Sequence, residues 1–400
     1  MIIFIPKIQQ LKQLAMAFCL LLAVGACTED RVTETHEVSF VSNGGTNLAP
    51  VRVKHGETLD TRKIYPDPIV SDGGDFLGWF TDESLTQEFD FAGPVNADLV
   101  LYAKWHYESF KITFEMNAGP ALPDLEVRVG KEPLLPEPLL EGHAFAGWYK
   151  DKDFRSMFTE ADAVSSDLTL YGRFEKYSPA SWFSVNASGV LEKCTPAAGT
   201  SVVVLPEGIR EIPDWFVLAN GLNEPGKPGF PGGADIREFI LPGSLEKLGY
   251  GSFKYSAITR IVIPAKVRQL VPVTFEGCDR LQQVYFAKDS QLERLAGNDS
   301  NEAVFVTPAL ETITFPPSLR YVGKYTMAGA KSLKTVTFLR KESAVIFDTF
   351  LPGGGVWLFG GYFPNKILMP SAVKSAFLTE LRKVTGDYEY EKMSAITEGI

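Results

Sequence analysis

A short apolar phrase recurs through the carboxy-terminal half of this chain, and it narrows the possible folds more than any other feature. Ile236-Arg-Glu-Phe-Ile-Leu-Pro242 is followed by Ile258-Thr-Arg-Ile-Val-Ile-Pro264 and then by Leu281-Gln-Gln-Val-Tyr-Phe286. Pro242 and Pro264 are 22 residues apart, and Ala287 takes the same place 23 residues later. A second phrase alternates with the first: Leu245-x-x-Leu248-x-x-x-x-Phe253, then Val267-x-x-Leu270-x-x-x-x-Phe275. A period in the low twenties predicts a solenoid with one coil per repeat, in which no coil buries its apolar side without a neighbour.

The repeat extends in both directions. Val202-Val-Val-Leu-Pro206 with Ile209, Ile212 and Phe216 reads as the first coil, and Trp182–Leu191 before it as a hairpin that covers the raw amino-terminal edge. Leu310–Pro316, Leu333–Phe338 and Lys366–Pro370 carry the ladder phrase onward. Three stretches interrupt it and read as insertions: Ala219–Asp235, Leu295–Pro308 and Leu351–Phe363. After Pro370, Val373, Phe377, Leu381 and Val384 recur at helical spacing behind Ser371 as N-cap, which predicts a helix closing the carboxy-terminal end.

A longer repeat fills the region before the solenoid. Val38-Ser-Phe-Val-Ser-Asn-Gly-Gly45, Val51-Arg-Val53, Phe76-Leu-Gly-Trp79-Phe80 and Asp98-Leu-Val-Leu-Tyr-Ala-Lys-Trp105 form one copy. The other comprises Ile112–Gly119, Val127-Arg-Val129, Phe145-Ala-Gly-Trp148-Tyr149 and Asp167-Leu-Thr-Leu-Tyr-Gly-Arg-Phe174. The first copy carries a short insertion near Asp67–Asp75. Alternating apolar residues and Asn43-Gly-Gly45 predict short strands joined by tight turns. Trp79 and Trp148 read as core residues packed beside glycine rather than as carbohydrate platforms. These motifs resemble the internalin-type B repeat, the Listeria–Bacteroides repeat, with departures at Ala118 and Phe174. The resemblance implies a small β-grasp-like module used in tandem as a stalk, with no catalytic residues.

The solenoid has a resemblance of its own. Its Ile-Pro, Leu-x-x-Leu and Phe275-Glu-Gly-Cys-Asp-Arg-Leu281 pattern, and the ending Met369-Pro-Ser-Ala-Val-Lys-Ser-Ala-Phe377, resemble the BspA-type leucine-rich repeat. That family implies a bacterial surface solenoid associated with adhesion, whose ligand does not transfer between members. The expected class is therefore mainly β: two β-grasp-like modules, then a leucine-rich-repeat solenoid with a C-terminal capping helix.

The amino terminus predicts the location. Lys7 and Lys12 precede an unbroken apolar run from Leu14 to Val24, and Gly25-Ala26 precede Cys27. This is the layout of a secretory signal peptide, and the uncharged run is shorter than the ~20 residues needed to span a bilayer. Leu22-Ala-Val-Gly-Ala-Cys27 resembles the lipobox of bacterial lipoproteins, which implies a lipidated Cys27 on the outer membrane, exposed at the surface. The resulting parts are a leader (1–26), a tether (27–36), two modules (37–107 and 108–177) and the solenoid with its caps (180–400). Cys194 and Cys278 should then be free and buried, because coils that far apart exceed disulfide reach.

Charge and chemistry narrow the function. The net charge is −10, and losing Lys7 and Lys12 with the leader takes it to −12, which argues against nucleic acid. All four histidines (His36, His55, His106, His143) lie before the solenoid, so no Ser-His-Asp or Cys-His set belongs to it. No His/Cys spacing fits zinc, and no glycine-rich stretch fits a phosphate cradle. The chain is expected to be neither an enzyme nor a holder of cofactor or metal. It is expected to bind an extracellular protein or glycan, with membrane attachment through Cys27. Trp357, Phe359, Tyr362 and Phe363, aromatic residues among glycines, are the candidate binding positions if they do not fold back as a cap. The alternative is a structural or glycan-binding accessory lipoprotein of the envelope with no host partner.

Overall fold

A computed structural model describes residues 34–64, 73–159, 161–227, 233–296, 302–347 and 358–400. The chain divides into two compact units, Met1–His106 and Tyr107–Ile400. Cys27, the Asp67–Asp75 insertion up to residue 72 and Trp357 lie outside the described residues.

The first module is a mixed four-stranded sheet of β1 (Thr35–Val41), β2 (Val51–Lys54), β3 (Asp75–Phe80) and β4 (Leu99–His106), in the order β2-β1-β4-β3. β1 and β4 run parallel in the centre; the outer pairs are antiparallel. That is the strand order expected of a β-grasp-like sheet. Alternation sends Val38, Val53, Leu101, Ala103 and Trp79 into one core. Trp79 is 2% exposed, with the Phe40 and Phe76 rings against it at 4.9 and 5.5 Å, so it is core.

The Asn-Gly-Gly motif and the terminal tryptophan prove to be one device. Asn43 and Gly44 both take positive φ, and the Asn43 side chain donates to the Ala103 carbonyl at 2.7 Å. The Trp105 indole donates to the Ser42 carbonyl at 2.9 Å, and a Cβ on Gly45 would come within 2.5 Å of its ring. Glycine is needed there for space.

The second module repeats this plan with β5 (Ser109–Met116), β6 (Leu125–Arg128), β7 (His143–Tyr149) and β8 (Leu168–Lys176), in the order β6-β5-β8-β7. Phe174 replaces the tryptophan and still packs on Gly119. Trp148 is buried against Phe114 and Phe145. One alignment of the sequence reading shifts by two residues. Val38 pairs with Val51 and Ile112 with Leu125, so Val51-Arg-Val53 corresponds to Leu125-Glu-Val127, not to Val127-Arg-Val129.

The hairpin of β9 (Phe183–Val185) and β10 (Leu191–Cys194) covers the start of the solenoid: Leu191 and Cys194 are fully buried in its core. Each coil then supplies a long and a short strand. They are β11 (Val202–Val204) and β12 (Glu211–Ile212), β13 (Glu238–Ile240) and β14 (Lys247–Leu248), β15 (Arg260–Ile263) and β16 (Gln269–Leu270), and β17 (Gln283–Phe286) and β18 (Arg294–Leu295). β19 (Thr312–Phe315) and β20 (Tyr321–Val322), then β21 (Thr335–Phe338) and β22 (Ile346–Phe347), follow before β23 (Lys366–Met369).

Long strands stack in parallel as β11-β13-β15-β17 and as a second sheet that begins β19-β21-β23. Short strands stack as β12-β14 and β16-β18-β20-β22. A third row of backbone hydrogen bonds joins the phenylalanine corners. Phe253 N–H donates to Thr274, Phe275 to Val304, Phe305 to Thr326 and Met327 to Leu358, each at 2.9–3.0 Å. Three such rows enclose one continuous core. Phe253, Phe275 and Phe305 stack at 5.8 and 5.6 Å; Phe315 stacks on Phe338 at 5.5 Å, with Phe286 tilted against it at 5.8 Å. Each buried phenylalanine contributes ~1.5–3 kcal/mol by leaving water.

The structure corrects several expectations. The stretch Leu295–Pro308 is not wholly an insertion, because Ala303–Val306 forms a corner and Phe305 extends the phenylalanine stack. Ser371 is not the N-cap; Pro370 occupies that position and Ser371 is the first residue of the helix. Helices α1 (Phe216–Ala219), α2 (Ser371–Val384) and α3 (Asp387–Ala395) are present, and α2 buries Val373, Phe377, Leu381 and Val384 as its spacing predicts. The last strand is not at Lys366–Pro370, however. β24 (Thr397–Gly399) follows α3 and pairs in parallel with β23. The sequence Thr-Glu-Gly has no apolar phrase, so composition alone could not mark it as a strand.

Cys194 and Cys278 are free and buried, and burial pushes both thiols up to about 12.

Replacing Phe275 by alanine should cost ~3–5 kcal/mol, read as a lower denaturant midpoint, because it opens the stack between Phe253 and Phe305. Glu389 on α3 gives a second test. Burial raises its carboxyl from 4.5 to about 7, against a hydrogen bond from the Leu358 backbone that lowers it. The folded chain therefore holds a proton there that the unfolded chain releases, and stability falls as pH rises from about 4.5 to 7. Glu389→Gln should remove that slope and stabilise the protein at pH 8 by ~2–3 kcal/mol in thermal melts run across pH.

Candidate functional site: a groove beside the docked module

The second module is packed onto the outward face of the long-strand sheet. In these strands alternate residues point away from the core: Glu238 on β13, Arg260 on β15, Gln283 and Tyr285 on β17. Glu238 is 6% exposed and accepts two bidentate arginine pairs. Arg173 of β8 donates through Nη1 and Nη2 at 2.9 and 3.0 Å, and Arg260 through Nε and Nη2 at 2.7 and 2.9 Å. Arg173 also holds Glu175 at 2.8 Å. Arg260 lies over the Tyr149 ring at 5.3 Å and donates to the Phe154 carbonyl. Further along the sheet, the Gln283 amide donates to the Arg155 carbonyl at 2.7 Å.

The charge balance explains why this cluster tolerates burial. Desolvation alone raises the Glu238 pKa, but hydrogen bonds from Arg260 and Arg173 outweigh it and hold the carboxyl below its ordinary value. Desolvation likewise pulls Arg173 down, and its bonds to Glu238 more than reverse this.

Docking leaves a groove where the module ends and the ladder breaks. No strand pairing joins β17 to β19, while the short-strand sheet runs through the same coils unbroken. The groove encloses about 470 Å³. Its wall carries Thr159 from the module, Gln283 and Tyr285 from β17, and Thr312 and Thr314 from β19. Glu311 at the rim is paired with Lys334 at 2.8 Å. Among the described residues the lining is thus mixed: amide, hydroxyl and phenol groups beside the apolar side chains of Val284, Phe286, Pro316 and Leu339. Its polar groups exchange hydrogen bonds with a neutral polar ligand without requiring a buried charge.

The aromatic positions expected to bind fare differently. Phe359 is 1% exposed in the solenoid core, with Leu358, so this part of the stretch folds back as a cap. Phe363 is half-buried against the same core. Tyr362 is exposed, with the Lys331 amine over its ring at 5.3 Å. Trp357 and Cys27 fall outside the described residues. A second aromatic surface lies at the exposed Trp215 and the half-buried Tyr255, with Lys254 over their rings at 5.4 and 5.1 Å. Trp215 holds φ 56, an uncommon conformation for a non-glycine residue. The groove residues were not legible in the sequence, because an outward residue of a ladder phrase reads as solvent-facing. One cluster suited to a metal ion, Glu34 with His36 and His55, also escapes a spacing argument.

Residues 36–104 and 110–173 match the Listeria-Bacteroides repeat domain. Residues 214–297 and 298–350 match the BspA type leucine rich repeat region, in six copies. The chain joins two Listeria–Bacteroides repeats to a BspA-type solenoid. Two proteins of Evansella cellulosilytica, one named a membrane protein and the other a Gly-rich membrane protein, are each 37% identical over 144 and 145 residues. Each match covers 35% of this chain, which spans only 21% and 16% of those relatives. Among solved structures, the pneumococcal vaccine antigen PcpA is similar with a TM-score of 0.29 and 14% identity, over 53% of this chain and 54% of that one. A leucine rich cell surface protein from Faecalibacterium prausnitzii A2-165 is similar with a TM-score of 0.24 and 14% identity, over 50% and 64%.

Arg173→Ala should loosen the second Listeria–Bacteroides repeat from the solenoid by ~3–5 kcal/mol, since it leaves a buried carboxylate half paired. Limited proteolysis near Ser178 should accelerate in that variant. The same contact should weaken in the native protein as pH falls through the lowered Glu238 pKa, and hold fully above the ordinary glutamate range.

Proposed function

We propose that this protein is a lipid-anchored cell-surface binding protein whose solenoid unit presents the groove beside the docked repeat to a neutral extracellular glycan. The groove lining carries this reading: hydroxyls and amides from Thr159, Gln283, Thr312 and Thr314 around the Tyr285 ring, set among apolar side chains, with the Glu311 carboxylate at the rim paired to Lys334. The BspA-type repeat region and the membrane-protein names of similar proteins support a surface location. Attachment through Cys27 follows from the lipobox-like leader. The role proposed for the groove is binding rather than catalysis, on the strength of its hydroxyl and amide lining.

A glycan array probed with the full chain and a Thr314→Arg variant tests the site. Arginine there should fill the groove and abolish a specific signal while the melting temperature stays unchanged. Retained binding in Thr314→Arg, with loss in Trp215→Ala, would move the site to the Trp215–Tyr255 surface and overturn the groove assignment. Binding only to matrix proteins would overturn the glycan class. For the anchor, Cys27→Ser should shift the protein from the detergent-rich to the aqueous phase on phase separation.

A further inference from the structure

The first repeat holds a pair of imidazoles that its fold does not require. His36 sits at an inward position of β1, 8% exposed, and His55 follows β2 on the same face. The register that pairs Thr35 with Lys54 sets the two rings diagonally across the strand pair. His36 Nε2 and His55 Nδ1 face each other at 2.9 Å. The Glu34 carboxylate joins them, and the three potential ligand atoms lie within 4.8 Å of one another. On the far side of His36, Nδ1 lies 3.7 Å from Asp98, whose carboxylate also accepts the Glu37 backbone N–H at 2.8 Å.

The second repeat serves as an internal control. By strand register, Phe110 stands where His36 does, and Val129 where His55 does. The Val129 N–H donates to Glu108 just as the His55 N–H donates to Glu34, both at 2.9 Å. The backbone is the same and the anchoring aspartate is kept, since Asp167 accepts from Lys111 N–H at 2.7 Å. An apolar pair therefore suffices to fold this corner, and the two histidines need another explanation.

We propose that Glu34, His36 and His55 bind a divalent transition-metal cation of the zinc class, clasping the start of β1 to the end of β2. Two imidazoles and one carboxylate are three of the four ligands of an open tetrahedral site, leaving one for water. Zinc bonds of ~2.0–2.1 Å at a tetrahedral angle need the two nitrogens ~3.3 Å apart, so the rings open by a few tenths of an ångström on binding. Asp98 stands 3.7 Å behind His36 Nδ1, so a small closure on binding would give that imidazole a carboxylate partner and direct Nε2 toward the ion. Imidazole favours zinc, copper or nickel over calcium or magnesium.

The test uses the full chain, purified without a histidine tag and stripped with chelator, titrated with zinc chloride. One equivalent should bind saturably and raise the melting temperature, and cobalt in its place should give the visible absorption of a tetrahedral site. His55→Gln, at an exposed position that should leave the fold intact, should weaken binding at least about tenfold and remove the cobalt band, with Asp98→Asn weakening it less. His143→Gln, in the second repeat, should change nothing. If the native chain binds no zinc at micromolar concentration, or if His55→Gln and His36→Gln both bind as the native chain does, there is no site here.

Discussion

Stability in the solenoid depends on neighbours. Phe275 has Phe253 on one side and Phe305 on the other, and no coil could bury such a ring alone. The three rows of backbone hydrogen bonds serve the same end. They satisfy each coil's peptide groups on the next coil, so the apolar side chains between them stay dry. Both ends then need separate answers. The hairpin β9–β10 supplies Leu191 and Cys194 to the first coil; α2, α3 and the parallel strand β24 finish the last.

A buried carboxylate joins the second repeat to this stack. Glu238 by itself would be a poor residue to bury, but two arginines in fork geometry satisfy both its oxygens. One arginine comes from the repeat and the other from the next coil, so the cluster ties three segments at a single point. Such a cluster fixes position more than it adds net stability, because two desolvated guanidinium groups offset much of the attraction. Its consequence for function is geometric. Covering β13 to β17 and stopping short of β19 is what turns a ladder break into a groove.

The two copies of the amino-terminal module show how far one plan can drift. Trp105 and Phe174 fill the same place over Gly45 and Gly119, and Asn43 and Asn117 each reach across to the last strand. The sheet, its order and its central parallel pair are unchanged. Differences concentrate where the sheet does not decide the residue: an imidazole pair in one copy, phenylalanine and valine in the other, and an arginine of β8 that the second copy uses for docking.

The sequence by itself determined the repeat architecture, the order of parts, the buried Trp79 and Trp148, the amino-terminal hairpin and the apolar face of α2. These are all set by periodicity, which is local and survives in one dimension. Phe305 was hidden because an insertion broke the period before it, and β24 because backbone pairing, not side-chain pattern, makes it a strand. The tertiary structure alone decided that Phe359 is core while Trp215 is exposed, and that Arg173 meets Glu238 across 65 residues. It likewise decided that His36 and His55 face each other. Each depends on which outward positions of separate elements come together, and no spacing along the chain encodes that.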